Sequence, residues 1–210
     1  MTTTVQRVDS VAAKVTLLRV DQLKPHEKGS PFYLELLRKE IINDGVLKYP
    51  IVVDEKTHVI LDGMHRWLAL KSLGYELIPV ILTDVFKGKI HVGKRRIHRY
   101  TDGVDNEITV EKVIAAGDSG RLMEPRSTRH FFPFSKFQEI NFPLRSLKKN
   151  AAQDVSRYIA KLTTKESNAA LEQWLEEISE ELEFLLRRKE EVEKEREEFL
   201  NRVKGLANKF

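Results

Sequence analysis

The strongest constraint on the fold is a junction at Asp62-Gly63, where an apolar run stops and an apolar helical pattern starts at once. Residues 59–61 have the apolar pattern of a buried strand. The apolar residues within 64–73 are spaced as on one face of a helix, and Gly74 is a residue type that commonly ends a helix. A strand that runs directly into a helix leaves unpaired N–H groups and the positive end of the helix dipole at the junction. The junction therefore predicts a site for anions such as phosphate.

The residue types at this junction suit phosphate chemistry. Gly63 lets a ligand approach the backbone, Asp62 can hold a cation or a proton, and His65 and Arg66 can donate to phosphate oxygens. In the alternative interpretation, Asp62 only caps the helix and His65 is half-buried packing. A pattern this short does not decide between the two.

Composition excludes several classes of protein. The 210 residues contain no cysteine, which rules out disulfides, cysteine-bound zinc, iron–sulfur clusters and thiol catalysis. No apolar run approaches the ~20 residues of a membrane span, and residues 1–4 lack the features of a secretion signal, so we expect a cytoplasmic protein without membrane contact. Residues 166–200 contain 13 Glu and 5 Lys or Arg, so the rest of the chain carries +12.

The remaining patterns predict an α/β protein of the α+β kind, with a compact core, a second lobe and a helical tail. Alternating or continuous apolar runs predict strands, and Ser30-Pro31 and Gly45 mark the start and end of a helix. A further short helix is predicted at 109–116. The predicted strands are residues 15–20, 50–53, 58–61 and 77–82. The predicted domains are a core at 1–85, a small mixed lobe at 86–150 and a helical segment at 151–210.

Three polar stretches could carry function. His26-Glu27, on a loop with Gly29, is either catalytic or a solvated turn. The basic stretch 86–100 could contact nucleic acid, but it has few interleaved aromatic residues, which favours a solvated basic strand. Residues 126–130, Arg-Ser-Thr-Arg-His, combine hydroxyls, guanidiniums and an imidazole, a combination typical of phosphate or carboxylate capture and also of an ordinary basic turn.

The tail carries a heptad seam between residues 166 and 206. Nine of its eleven core positions are apolar, and Lys189 and Arg196 fill the other two. A helix of this length must pack on a partner along its seam. The partner could be a second copy of the chain, the basic body of the same chain, or another protein.

Three separated motifs together resemble a known fold. Leu23 to Glu27, Gly45 to Val53 and Asp62 to Trp67 are similar to the fold shared by the N-terminal domain of the ParB partition protein and by sulfiredoxin. Sulfiredoxin needs a cysteine where this chain has Met64. ParB proteins carry an arginine where this chain has His65, followed by a helix-turn-helix, and residues 86–160 show no such pattern.

The third branch of this fold, the archaeal free L-serine kinases, matches at more places. Pro25-His26-Glu27, Asp62 to Trp67 and Ser127 to Phe134 resemble three of its motifs in the same order. The family makes O-phospho-L-serine from free L-serine and a nucleotide. Met64 replaces the first histidine of the family's pair, the segment between the two halves is shorter than in the family, and the heptad tail has no counterpart.

This resemblance implies a role for each matching residue. Glu27 would be the general base, Asp62 would assist it or hold Mg²⁺, and His65 would contribute to catalysis. ATP or ADP phosphates would lie against residues of both motifs, and Arg129 and His130 would also bind serine. The implied nucleotide-binding residues are Gly63, Met64, His65, Arg66, Ser127, Thr128, Arg129 and His130.

The rival interpretation is a ParB-like, nucleotide-dependent DNA-binding or clamp protein that dimerises through its coiled coil. The basic body and the heptad seam support it. Against it stands the missing DNA-reading helix, so we expect L-serine and a nucleotide as partners rather than nucleic acid. A homodimer through residues 166–206 is compatible with either interpretation.

Overall fold

In the computed structural model, residues 13–87, 89–94, 108–125, 127–136 and 138–161 are described, together with helical residues between 172 and 201. The chain divides into two compact units, Met1–Lys161 and Leu162–Phe210. The described residues of the first unit form eight strands: β1 Val15–Arg19, β2 Val46–Leu47, β3 Ile51–Asp54, β4 Ile60–Asp62, β5 Leu77–Thr83, β6 His91–Lys94, β7 Thr128–Phe131 and β8 Phe142–Pro143.

The central sheet has the strand order β1-β5-β3-β4. β1 and β5 are antiparallel, β5 and β3 are parallel, and β3 and β4 form the antiparallel hairpin that the sequence predicts. β2 pairs with β8, and β6 pairs with β7. All four strands predicted for the core are confirmed to within a few residues. β4 is an edge strand, so the Asp62 junction lies at one side of the sheet.

Among the residues described between 13 and 161, three α-helices accompany the sheet: α1 Pro31–Asp44, α2 Met64–Ser72 and α3 Val110–Ser119. Pro31 is the first residue of α1, and Gly45 ends it in the left-handed conformation with φ of 66°, as predicted. The Thr109 side chain accepts a hydrogen bond from the N–H of Lys112 and so caps α3, which runs three residues beyond the predicted end. Short 3₁₀ turns lie at Val20–Gln22, Leu144–Ser146 and Ser156–Tyr158.

Apolar side chains cover both faces of the sheet. Ile51 and Val53 pack with residues of α1 and α2, whereas Val52 between them packs with residues of α3 on the other face. Residues 85–92 and 108–114 contribute to this second cluster. The structure therefore differs from the predicted boundary at residue 85, because the sheet needs the following segment to bury its second face.

The segment after residue 140 also belongs to the first unit. Leu144, Leu147 and Val155 are buried in the cluster that contains α1 and α2. Gly74, after α2, has φ of 85°. Its N–H donates to the carbonyl oxygen of Lys71 at 3.1 Å, and its own carbonyl oxygen accepts the N–H of Asn150 at 2.7 Å. Residues 151–161, predicted to belong to the helical segment, thus lie in the first unit.

The described residues of the second unit are helical, with an unbroken run at 189–201. Four seam positions, Leu175, Leu182, Val192 and Phe199, are between 48% and 64% exposed. The other seam positions, apart from Lys189 and Arg196, lie outside the described residues, so the coiled coil stays a prediction. No helix in the described part of the chain is long and apolar enough to cross a membrane.

We predict that Gly74→Ala destabilises the first unit far more than Gly120→Ala. Both glycines have positive φ, but a Cβ at Gly74 would lie 2.3 Å from the carbonyl oxygen of Asn150, whereas nothing lies within 4 Å of one at Gly120. Left-handed strain alone costs about 1–2 kcal/mol. Urea unfolding measures the difference, and equal losses in the two variants would show that residues 150–151 do not pack against this turn.

Candidate active site

The segment 24–29 carries His26 and Glu27 and is held by backbone pairing with three distant parts of the chain. Isolated bridges join it to Val59, Met123 and Ile159. Two backbone hydrogen bonds, each 2.9 Å long, link it to Met123. Because both sides of the segment are paired, the Glu27 side chain projects from a fixed backbone, and it is only 8% exposed.

His65 connects this segment to α2. Its Nε2 accepts the backbone N–H of Ser30, the residue before α1, at 2.8 Å, and its ring packs against Tyr33 with centroids 5.3 Å apart. A nitrogen that accepts carries no proton, so a neutral His65 has its proton on Nδ1. His65 therefore helps to position the loop of Glu27. Its catalytic and phosphate-binding roles remain predictions.

A buried chain of hydrogen bonds runs from Glu27 to the edge of the sheet. The Thr128 hydroxyl lies 3.2 Å from Glu27 Oε2 and 2.8 Å from His26 Nε2. His26 Nδ1 lies 2.6 Å from the carbonyl oxygen of Ile60 on β4. Burial lowers the pKa of His26 to about 4, so the ring is neutral at pH 7.

Asp62 forms the second polar centre of the site. Its Oδ2 accepts from Arg66 Nη2 at 2.6 Å, and its Oδ1 accepts from Lys136 Nζ at 2.7 Å. Burial raises the pKa of Asp62, but the charges of Arg66 and Lys136 outweigh it, so the pKa lies below its ordinary value. Arg66 also donates to the carbonyl of Pro50 at 2.5 Å. The junction thus holds an ionised carboxylate between two cations.

The backbone at the start of α2 has the geometry that the junction predicts. Gly63 precedes the helix with φ of 92°, and a Cβ there would lie 2.5 Å from Ile51 Cγ2, so glycine is required on steric grounds. Met64 is 5% exposed and packs in the core with α1 and α2. At this position only the backbone N–H is available to a phosphate.

Strand β7 divides the residues of the Ser-Thr-Arg-His motif between two faces. Thr128 and His130 are buried toward Glu27 and His26, with the rings of His26 and His130 5.4 Å apart. Arg129 points to the opposite face, where its guanidinium lies 5.4 Å from the Phe131 ring centre. Arg129 therefore lies on the face of β7 turned away from Glu27, and its predicted contacts with phosphate and serine would have to be made on that face. Arg126 lies outside the described residues.

Within the described part of the chain, two buried side-chain atoms near these residues have no hydrogen-bond partner: Ser127 Oγ and His130 Nε2. Burial and the charge of His26 lower the pKa of His130 to about 3, so His130 is neutral at pH 7. The charges of Asp62 and Lys136 also act on the pKa of His130, so His130 lies within electrostatic range of the junction as well as beside His26. Buried polar atoms without a partner are rare in proteins and are expected where a ligand binds.

Sequence reasoning missed Lys136 and the role of Thr128 as a link. Lys136 is 74 residues from Asp62 along the chain, and Thr128 is 101 residues from Glu27. The only sequence signal for Lys136 is its place two residues after the Pro133-Phe134 pair that closes the third motif. If residues 128–131 had been predicted as a strand, the alternation of side chains along it would have placed Arg129 on the opposite face from Thr128 and His130.

The donor set fits a magnesium ion only together with a nucleotide. In the described part of the chain no group of three His, Cys, Asp or Glu residues could hold a metal. Mg²⁺ is commonly bound through one or two carboxylates plus substrate phosphates, with water completing the shell. Asp62 supplies one ionised carboxylate. To bind the ion, its Oδ1 would give up its contact with Lys136 Nζ.

The fold defines a class: residues 2–92 match the profile of the ParB N-terminal domain. A solved free serine kinase in complex with AMP has the same fold, with a TM-score of 0.55 at 17% identity over 65% of this chain and 94% of that chain. The chain is thus a mixed α/β protein whose N-terminal half has the ParB fold.

Within this class the chain is similar to named L-serine kinases. It is 40% identical over 74 residues to the ATP-dependent L-serine kinase of Staphylothermus marinus, covering 33% of this chain and 29% of the relative. It is 29% identical over 79 residues to the ADP-dependent L-serine kinase of Thermococcus kodakarensis, covering 36% and 33%. The match spans about a third of the length of these relatives.

We predict that stability falls as the pH drops below 6.5, because His26 and His130 are neutral when folded and charge when unfolded. Their pKa values fall from 6.5 to about 4 and about 3 on folding. Their contribution to the free energy of unfolding is complete above pH 6.5. As the pH falls, it is lost at about 1.4 kcal/mol per pH unit for each proton, down to pH 4 for His26 and pH 3 for His130. Urea unfolding between pH 7 and pH 4.5 measures the slope.

The control is His130→Phe, which keeps a ring beside Phe132 and removes one titrating group. The rings of His130 and Phe132 are stacked with centroids 6.1 Å apart, so Phe fits the same packing. The variant should lose less stability than the parent over this pH range. An unchanged slope would mean that His130 titrates normally and is not buried.

Proposed function

We propose that the chain transfers a phosphoryl group from ATP or ADP to the hydroxyl of free L-serine, giving O-phospho-L-serine. The observation that carries the proposal is the buried Glu27 carboxylate, joined through Thr128 and His26 to the edge strand that ends at Asp62. A fixed proton acceptor thus lies next to a cationic phosphate seat. The names of the similar kinases supply the acceptor and donor.

Glu27 is the proposed general base. In a loose transition state the serine hydroxyl releases its proton only as the new O–P bond forms, and a carboxylate within hydrogen-bond reach can accept it. Backbone pairing fixes the segment that carries Glu27, which keeps the carboxylate in position without substrate. Little else is required of the protein than positioning and charge neutralisation.

The phosphates of the nucleotide bind the amides at the start of α2 and the cations at the junction. Residues 63–66 supply N–H groups and the positive end of the helix dipole. Arg66 and Lys136 neutralise charge that develops on the transferring group. A magnesium ion on the nucleotide would add charge neutralisation at Asp62. Asp62 in turn orients both cations, so the seat is formed before the nucleotide arrives.

Serine binds between the two polar centres in this proposal. His130 Nε2 and Ser127 Oγ are buried without a partner, and the carboxylate and ammonium of serine can satisfy them. Arg129, on the other face of β7, would reach serine only if the substrate extends past the strand. The assignment of Arg129 to substrate and phosphate binding rests on the resemblance alone.

The DNA-binding alternative has little support in the described residues. Between 108 and 161 they contain one α-helix, α3, whereas a helix-turn-helix needs two. The ParB fold itself is shared by the kinases, so the profile match does not favour DNA binding. That nucleic acid is not a partner, and that the protein is cytoplasmic, stay predictions.

We further propose that the second unit joins two copies of the chain. The described seam positions expose four large apolar side chains, and a second seam of the same chain is a matching apolar surface. Every proposed site residue precedes residue 162. A chain that ends at Lys161 should therefore be monomeric by light scattering and retain turnover. If this shortened chain has a native circular dichroism spectrum but no turnover, part of the site lies in the tail.

The test of the function is an assay for phosphoserine with L-serine, magnesium and either ATP or ADP, comparing the parent with Glu27→Gln. The amide keeps the shape of the side chain but removes its basicity, so turnover should fall by about 10² to 10⁴ while nucleotide affinity is nearly unchanged. Mass spectrometry measures the product, and the two nucleotide arms identify the donor.

Glu124→Gln is the matched control. Glu124 is an exposed carboxylate whose Oε1 lies 3.0 Å from Nζ of Lys28, and Lys28 is the residue that follows Glu27. Such surface pairs contribute little, so this variant should retain full turnover. No phosphoserine from the parent with either nucleotide would refute the function. Lost nucleotide affinity with preserved turnover of the bound complex would make Glu27 a binding residue and leave Asp62 as the base.

A further inference from the structure

We propose that Lys136 keeps divalent metal ions away from Asp62 until a nucleotide binds, because its ammonium group occupies the carboxylate oxygen that would hold the metal. The inference rests on the proposed function, which places the phosphates of the nucleotide at this junction. It goes further in assigning to Lys136 the control of when a metal ion can bind.

Both oxygens of the Asp62 carboxylate are held by cations, but the two cations differ. Arg66 lies on α2, four residues from Asp62, and it also donates to the carbonyl oxygen of Pro50. Lys136 comes from a distant part of the chain, and its side chain is 27% exposed against 16% for Arg66. Lys136 is therefore the cation whose release from Asp62 disturbs the core less.

A metal ion on Asp62 Oδ1 would lie close to the ammonium group of Lys136. Mg²⁺ binds oxygen at about 2.1 Å. Since Nζ is 2.7 Å from the same Oδ1, the two cations would be less than about 5 Å apart. Charges this close in a partly buried site repel each other and are weakly screened by salt. Without a nucleotide, the one negative and two positive charges of the junction therefore favour a phosphate over a metal ion.

The backbone near Lys136 is anchored, which makes its ammonium group an effective competitor. Phe134, two residues earlier, packs against the cluster on the second face of the sheet, and its ring centre lies 5.3 Å from that of Phe132. The lysine side chain thus starts from a fixed point within reach of Asp62, so Nζ has a high effective concentration at Oδ1. An ion from solution has to displace a partner that cannot diffuse away.

A bound nucleotide reverses this balance. Its phosphates offer Lys136 Nζ another anionic partner at the junction, and phosphate oxygens also bind Mg²⁺. The contact that Lys136 gives up at Asp62 is then replaced, and Oδ1 becomes available to the metal ion that the phosphates carry. Metal and nucleotide consequently bind together, and each should strengthen the binding of the other.

The test follows Mn²⁺, a paramagnetic substitute for Mg²⁺, in the full chain without nucleotide or serine. Total metal binding would be uninformative because residues 166–200 contain 13 Glu. The backbone amide resonance of Gly63 reports on the site itself, since a metal ion on the neighbouring Asp62 broadens it. Thr16, on β1 at the opposite edge of the sheet, is the reference. In the parent, Gly63 should broaden no more than Thr16.

Lys136→Met keeps an apolar stem and removes the charge. Gly63 should then broaden at Mn²⁺ concentrations at least about tenfold lower than in the parent, as expected for the loss of one hydrogen bond between charged groups. Lys136→Arg keeps the charge and should behave like the parent. Adding Asp62→Asn to Lys136→Met should remove the broadening again. The matched control is Lys148→Met, an exposed lysine 2.9 Å from Glu76, which should leave Gly63 unchanged.

Equal broadening of Gly63 in the parent and in Lys136→Met, including none in either, would overturn the inference. Broadening that survives Asp62→Asn would overturn it as well. The amide spectrum shows whether Lys136→Met is folded, and Lys136→Gln replaces it if it is not. These measurements contain no nucleotide, so their outcome does not depend on whether phosphoserine is made.

A second arm adds ADP to the parent. Gly63 should then broaden at Mn²⁺ concentrations that have no effect without ADP, while Thr16 stays sharp. If ADP causes no broadening at Gly63, the phosphates bind elsewhere, and the phosphate seat of the proposed function fails together with this inference. If the parent binds Mn²⁺ at Asp62 without ADP, the inference alone fails.

Discussion

The backbone pairing of residues 24–29 is the constraint on which the candidate site depends. One side of this segment pairs beside β4, and the other pairs with Met123 and Ile159, which follow much later in the chain. Loops usually vary in position, but this one is held like a strand, so Glu27 needs no ordering when substrate binds. The same pairing also explains why Met123 and Ile159 belong to the first unit: they hold the segment that carries Glu27.

Two kinds of ionisable group lie in the candidate site, and their protonation states differ. At the junction, Arg66 and Lys136 keep Asp62 ionised, and the α2 N-terminus adds a partial positive charge. Burial keeps His26 and His130 neutral. Neutral rings accept and donate hydrogen bonds without repelling the cations. In the proposed function, the cationic junction binds a phosphate and Glu27 accepts a proton.

Local patterns made the fold predictable, whereas the contacts within the site were not. The spacing of apolar residues predicts the strands and helices of the core. Gly45 and Gly63 mark the end of one helix and the start of another, because glycine adopts the positive φ found there at little cost. The pairing of Glu27 with Thr128 spans 101 residues, and that of Asp62 with Lys136 spans 74, so no local pattern reveals either. The second face of the sheet likewise packs against residues beyond 85, which the sequence patterns had placed in a separate lobe.

The most direct measurement of the central claim is a crystal structure of the chain with L-serine and a non-hydrolysable nucleotide. The account predicts the serine hydroxyl within about 3 Å of the Glu27 carboxylate, with the terminal phosphate on the amides of residues 63–66 and beside Lys136. Serine bound on the Arg129 face of β7, out of reach of Glu27, would contradict the account, as would phosphates bound away from the start of α2.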